Sequence, residues 1–260
     1  GNIKHILTKK GYHSEEFMLC FITYQKTIKH IDQIVEILIQ EFPHIKTIIQ
    51  NINERHDNVI LGDEEKILYG KGYIYDTLLD NQYKISLKSF YQINPIQVEK
   101  LYQTAIDLAH INQDSVVLDA YCGIGTITLS LAKHVKKIYG VEVVPQAIED
   151  AKNNALLNKI DNADFVCDDA GKYMVELVKK NTHLDVVFVD PPRKGCSEEF
   201  LEHLLQASPK EIIYISCDVA TQARDAKYLN EHGYTITHCQ PVDMFPHTFH
   251  VETVCLLSRK

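Results

Sequence analysis

From Asp114 to the end of the chain, short apolar runs alternate with segments of helical period. Val116–Asp119, Lys137–Glu142, Ala163–Cys167, Leu184–Asp190 and Glu211–Cys217 predict strands. Helices are predicted between them, starting near Thr126, Pro145, Ala170, Ser197 and Val219. Continuous apolar runs suit strands buried on both faces, and the alternation implies right-handed crossovers and a parallel sheet. Two last runs, Tyr234–Pro241 and Val251–Ser258, have no helix between them. They predict an antiparallel end to the sheet, which then has seven strands and is mostly parallel.

The first 85 residues follow another pattern. Phe17–Tyr24 predicts a strand, and Ile28, Ile31, Ile34, Val35, Leu38 and Ile39 mark a helix over Thr27–Gln40, stopped by Pro43. Thr47–Asn53, Asn58–Gly62, Ile67–Ile74 and Tyr83–Leu87 predict further strands, the last two joined through Asp80-Asn81. Pro95 opens a helix that runs through Val98, Leu101, Ala105 and Leu108. The expected organisation is a small α+β domain over 1–85 and an α/β domain over 86–260. There is no internal repeat or low-complexity segment.

Composition narrows the class. No apolar run approaches the roughly 20 residues that a membrane helix needs. The start, Gly1-Asn2-Ile3-Lys4, is not followed by a signal-peptide core and lacks an initiator Met, so a fragment or a processed product is expected. Seven cysteines, none in a C-x-x-C pair, argue against a disulfide framework or a metal knuckle and fit reduced thiols in the cytoplasm. A net charge of −8 opposes nucleic-acid binding by overall field. Lys133, Lys136 and Lys137, Lys179 and Lys180, and Arg193 and Lys194 cluster either as local basic patches or as solvated faces.

The candidate chemistry starts at Val116–Ala132, which reads VVLDAYCGIGTITLSLA. A strand ending in Asp119, a turn with Gly123 and Gly125, and a helix start make a seat for a nucleotide-like ligand. Thr128 stands where a dinucleotide fingerprint has its third glycine. Glu142, about twenty positions on, can accept from two ribose hydroxyls. One turn and one ribose acid suit S-adenosylmethionine better than a dinucleotide; the alternative is a plain strand-to-helix turn. Asp119, Asp190 and Cys217 each close a strand, where ligands of open α/β sheets bind. Asp190 opens D-P-P-R-K-G, whose prolines stiffen the chain. Cys217 sits where a helix begins, and a helix start favours the nucleophilic thiolate; otherwise it is a small buried residue, as Cys20, Cys167 and Cys255 are expected to be. Glu252, in FPHTFHVETV, is a general-base candidate if partly buried, or an outward strand acid. His247 and His250 lack a third ligand at matching spacing, so no metal site is expected. Gln92 precedes the Pro95 helix as a ligand contact or a turn residue.

In order, FYQINP, DAYCGIGT, GVEV, DPPRKG, SCD and PHTFHVET resemble the motifs of the bacterial RNA 5-methyluridine methyltransferases, over about residues 85–258. The Gram-positive type acting on 23S rRNA looks most similar, with the tRNA T-loop as the other substrate of the family. The resemblance implies a Rossmann-like class I methyltransferase fold preceded by the family's central domain. It implies S-adenosyl-L-methionine as cofactor, contacted by Gln92, Tyr121, Glu142 and Asp190. Cys217 matches the family nucleophile and Glu252 its general base, Asp190 also helping to hold the uracil. No metal, membrane or obligate protein partner is implied. Two departures stand out: Val219 replaces the proline that many members carry after S-C-[DN], and the N-terminal OB-like RNA-binding domain is missing. The competing readings are a 5-methylcytosine methyltransferase, whose T-C pattern is absent, an amino-methyltransferase, which would carry N-P-P-Y in place of DPPR, and a non-catalytic cofactor- or RNA-binding fragment.

Overall fold

β2 (Phe17–Thr23) and β3 (Ile45–Ile52) form the core of the first compact unit, Gly1–Tyr91, in a computed structural model that describes residues 1–260. They pair in parallel and are joined through α1 (Ile31–Glu41). β1 (Ile3–Lys10) and β4 (Glu64–Gly70) add antiparallel edges in the order β1-β2-β3-β4. The apolar stripe expected of α1 is its half-buried face, although the helix starts at Ile31 and not near Thr27. β1 was not anticipated: it is an edge strand with Ile3 and Ile6 exposed, so no clean alternation marks it.

Two expected strands of this unit need correction. Asn58–Gly62 makes no ladder. Asn53 Nδ2 donates to the carbonyls of Val59 and Ile60 (2.7 and 2.8 Å), and Asn51 exchanges two bonds with the Gly62 backbone, so side-chain amides replace a partner strand. Ile67–Ile74 is two strands, because Gly70 and Gly72 both take positive φ; a side chain at Gly70 would collide with the Lys46 carbonyl. The second piece, β5 (Tyr73–Leu78), pairs with β6 (Asn81–Ser86) in a separate hairpin. Asp76 of β5 is buried and accepts the backbone N–H groups of Tyr12, His13 and Ser14, which fixes the β1–β2 turn. The unit extends past residue 85: Lys9 Nζ donates to the carbonyls of Ser86 and Ser89, and Tyr91 Oη donates to Asp76.

The second unit, Gln92–Lys260, begins with α2 (Pro95–Leu108), capped by the Asn94 side chain. It continues through β7 (Val116–Asp119), α3 (Thr126–Ala132), β8 (Lys137–Glu142), α4 (Pro145–Leu157), β9 (Ala163–Cys167) and α5 (Ala170–Lys179). Next come β10 (Val186–Val189), α6 (Glu198–Ala207), β11 (Glu211–Ser216), α7 (Val219–Glu231), β12 (Tyr234–Val242) and β13 (Glu252–Arg259). The seven strands lie in the order β12-β13-β11-β10-β7-β8-β9, and β13 alone runs against its neighbours. The α/β, mostly parallel sheet expected from the alternation is therefore present. β10 is shorter than expected because Asp185 leaves the ladder to accept the Val116 N–H through its side chain. β10 and β11 carry fully buried Val187, Phe188, Ile212 and Ile213, and α5 and α6 bring Met174, Leu201 and Leu204 against one face. The chain leaves β7 toward β8 and β9 on one side, then crosses back to β10 and β11 on the other. The strand order thus reverses between β7 and β10, the place where open α/β sheets bind ligands. No helix is long and apolar enough to cross a membrane.

Candidate active site

At the switch point Asp119 ends β7 and is buried. Its Oδ2 accepts from Thr128 Oγ1 at 2.6 Å, while Oδ1 has no hydrogen-bond partner. Burial pushes the carboxyl up to about 6, against the Thr128 bond that lowers it. Thr128, expected only as a missing glycine, is thus the hydroxyl that orients this acid. The two turn glycines differ in use. Gly125, at φ 87, abuts Phe165 and Ala151, so a side chain there would be strained by its backbone and would press on the Phe165 ring. Gly123, at φ 52, has no atom within 4 Å of where a Cβ would stand, and its bare face borders open space.

Tyr121 and Glu142 line one small hollow with Ala120, Val143, Asp168, Asp169 and Phe200. The Tyr121 ring lies 5.5 Å from that of Phe200. Glu142 is half-buried at the end of β8, and its Oε1 accepts from the Val144 N–H. Asp168 and Asp169 were not singled out in the sequence, although each follows the strand end at Cys167, as Glu142 closes its own strand. Gln92 is half-buried in the segment before α2. That segment is tied down at Asn94, whose Nδ2 donates to the Met244 carbonyl ahead of β13. Tyr102 Oη lies 3.2 Å from Thr126 Oγ1 and joins α2 to the glycine turn.

On the other side of β7 three reactive groups converge. Ser216 pairs with Thr253, so the next residues outward, Cys217 and Glu252, stand side by side where β11 ends and β13 begins. Asp190 follows the end of β10, the next strand over. Its carboxyl is pushed up to about 8 by burial, then by the charges of Glu252 and Asp119. Glu252 is also raised by burial, with Arg193 opposing. Cys217 is half-buried, and its thiol is raised by burial, then by Glu252 and Asp190, again against Arg193. The helix start was expected to favour the thiolate; burial first, and the two neighbouring acids second, act the other way. Among the other cysteines, Cys20 and Cys255 are buried as expected, whereas Cys167 is exposed. The His250 ring lies 4.2 Å from that of Phe249, tilted, and 6.3 Å from that of Phe245, edge-on, while the backbone at His247 takes positive φ.

This sheet order, with its glycine turn and paired strand-end acids, is the class I architecture of S-adenosylmethionine-dependent methyltransferases. The sequence profile of the tRNA (uracil-5-)-methyltransferase family matches residues 17–260, and the chain belongs to that family. It is 45% identical over 260 residues to an uncharacterised RNA methyltransferase of Oceanobacillus iheyensis and 50% identical to one of Staphylococcus aureus. The whole chain is covered in both cases but only 57% of each relative, so it spans little more than half their length. The Pyrococcus abyssi tRNA (uracil-54, C5)-methyltransferase, solved with S-adenosyl-L-homocysteine, superposes with a TM-score of 0.84 at 31% identity. That match covers 99% of this chain and 60% of the other. The likeness to the M. jannaschii tRNA m1G37 methyltransferase is one of fold alone (TM-score 0.58, 14% identity).

Proposed function

We propose that this chain carries the catalytic centre of an RNA methyltransferase acting at C5 of uridine, with S-adenosyl-L-methionine as methyl donor. The observation that carries the reading is the adjacency of Cys217 and Glu252 on paired strand ends, beside Asp190 and on the same carboxyl edge of the sheet as the Tyr121–Glu142 hollow. The residues fit the donor. Gly123 presents a face with no side chain, Glu142 commits one carboxylate oxygen to Val144, and Asp119 holds an unpaired one. Glu142 would take the ribose hydroxyls, while Tyr121, Gln92 and Asp190 would line the rest of the seat. When bound, S-adenosylmethionine supplies an electrophilic methyl group together with a positive charge.

The protein's own groups account for the remaining steps. Uracil C5 is a poor nucleophile. Cys217 releases its proton to solvent, and its sulfur bonds to C6, so the electron pair of the C5–C6 double bond moves into an enolate. With the donor bound, C5 would take its methyl group as the donor's sulfur–methyl bond breaks, leaving the neutral thioether S-adenosyl-L-homocysteine. Glu252 removes the C5 proton, the double bond reforms, and the sulfur leaves as thiolate. A stacked base cannot reach this edge, so the uridine enters flipped or from a loop. We place the substrate in 23S rRNA and the protein in the cytoplasm, where unpaired thiols stay reduced. The family name and the target of the Pyrococcus abyssi enzyme support the second reading, a tRNA T-loop uridine.

The test incubates the full chain with methyl-labelled donor and either 23S rRNA or tRNA transcripts, followed by nucleoside mass analysis. 5-Methyluridine in rRNA is expected. Its appearance in tRNA alone would move the substrate, and label in 5-methylcytosine would overturn the uridine reading.

A further inference from the structure

Behind the Cys217 edge lies a charged network, its acid buried and its arginine exposed, that the proposed chemistry does not use. Asp225, on α7, is 1% exposed. Its Oδ2 accepts from the Cys196 N–H at 2.8 Å and from Tyr214 Oη at 2.7 Å, and its Oδ1 accepts from Arg224 Nε at 2.8 Å. The Arg224 guanidinium also donates to the carbonyls of Lys194 and Cys196, at 3.0 and 3.1 Å. One turn earlier, Thr221 Oγ1 donates to the Arg193 carbonyl at 3.0 Å. Gly195 takes φ 73 under this clasp, and a Cβ there would meet Asp225 Oδ2 and the Arg224 guanidinium. The backbone of residues 193–196 is therefore fastened at successive points along α7. That helix starts directly after Cys217, with Asp218 as its cap.

We infer that Arg224 and Asp225 are positioning residues that buckle the 193–196 loop onto α7 and so hold the Arg193 cation at the Cys217–Glu252 edge. The inference rests on Cys217 being the working thiol of the proposed function. Arg193 is exposed and would wander on a free loop; its charge has a defined place because its backbone does. The groups that face Cys217 are Glu252 from β13, Asp190 from the end of β10 and Arg193 from the loop, with Arg193 the one that favours thiolate. The clasp also reaches the donor hollow. Cys196 Sγ donates to Tyr214 Oη at 3.6 Å, and Tyr121 of the hollow is among the groups that act on the Cys196 thiol.

The experiment measures the pH midpoint of iodoacetamide labelling of the Cys217 peptide by mass, in the full chain, with the exposed Cys167 peptide as internal control. Arg193→Met removes the cation and should move the Cys217 midpoint to higher pH. Asp225→Asn places an amide donor against donors and should move it the same way. Below the midpoint, labelling slows roughly two- to tenfold, tenfold corresponding to about one pH unit. The double variant should shift no further than Arg193→Met alone, because both changes remove one cation from one place. Cys167 labelling should not move. An unchanged Cys217 midpoint in Asp225→Asn, or fully additive shifts in the double variant, overturns the inference. Should Asp225→Asn lose its cooperative melt, Arg224→Met decides by the same readout. Labelling needs neither RNA nor methyl transfer, so a wild-type chain that fails to methylate sinks the proposed function while this result still stands or falls alone.

Discussion

The two edges of the seven-stranded sheet are both rimmed with acids, yet they are built on opposite electrostatic terms. At the amino edge Asp185 accepts from Lys210 Nζ at 2.7 Å and from the Val116 N–H at 2.9 Å. Burial alone would raise its carboxyl, but those two donors outweigh burial and hold it below the usual range. Glu211 accepts from the His110 ring and backbone. At the carboxyl edge Asp119, Asp190, Glu252 and Cys217 are all raised, with burial the largest cause each time. The wider hollow, about 210 Å³ against about 50 Å³, lies at the amino edge. The same residue types are therefore lowered by charged or hydrogen-bonding partners at one edge and raised by burial at the other, where we propose the chemistry, and hollow size does not tell the two apart.

The strongest way to break this contrast is to remove the thiol. Cys217→Ala should lower methylation by at least about a thousandfold while donor binding is retained. Residual turnover near the wild-type rate, with binding by calorimetry unchanged, would take Cys217 out of the scheme. Glu252→Gln should leave the methylated adduct without its base, seen as a shifted protein–RNA band on a denaturing gel. A wild-type pattern there would reassign the base. Next in size, Glu142→Gln should weaken donor binding by roughly tenfold, about 1.4 kcal/mol, by exchanging a charged acceptor for a neutral one. Equal affinity would show that the ribose is held elsewhere.

The unpaired edge also makes a stability prediction with a defined sign. Asp190 rises from an ordinary 3.8 to about 8, so the folded chain keeps a proton that the unfolded chain releases between those values. Its contribution is complete below about pH 4 and is lost as pH rises through about 8. Asp190→Asn cannot ionise. Its melting temperature should match wild type at pH 4 and exceed it at pH 8, each kcal/mol of the relieved penalty being worth about 2–4 °C. Methylation should fall in the same variant, a trade of activity for stability. A variant that melts lower at pH 8 than at pH 4, relative to wild type, would contradict the raised value.

The strands that build both edges were legible because parallel-sheet strands are apolar on both faces, and those runs stand out from the helices between them. The irregular parts were hidden for a physical reason. Asn58–Gly62 has the composition of a strand, and only the distant Asn51 and Asn53 amides decide otherwise. In the site, strand-end residues such as Asp119, Glu142 and Cys217 were readable from position alone. The state of the Cys217 thiol was not, because the helix start is local while Glu252 and Asp190 arrive from distant strands. Asp225 carried no signal, since a buried acid shows itself only once its Cys196, Tyr214 and Arg224 partners are in place.

The smallest expected effect sharpens the contrast from the amino side. Lys210→Met removes one partner of Asp185, but the lysine is 67% exposed, so the pair is worth about 0.5 kcal/mol after solvent screening. That corresponds to a melting temperature lower by about 1–2 °C near neutral pH. The sign with pH is the reverse of that for Asp190. Asp185 is lowered, so its stabilisation is present above the ordinary 3.8 and is lost as pH falls through its depressed value. The Lys210→Met deficit should therefore fade in acid, whereas the Asp190→Asn gain appears only as pH rises. Methylation should be unchanged, since Lys210 lies at the end of the sheet away from Cys217. A loss of methylation matching that of the carboxyl-edge variants would mean that the paired edge also serves catalysis, and the division between the two edges would fail.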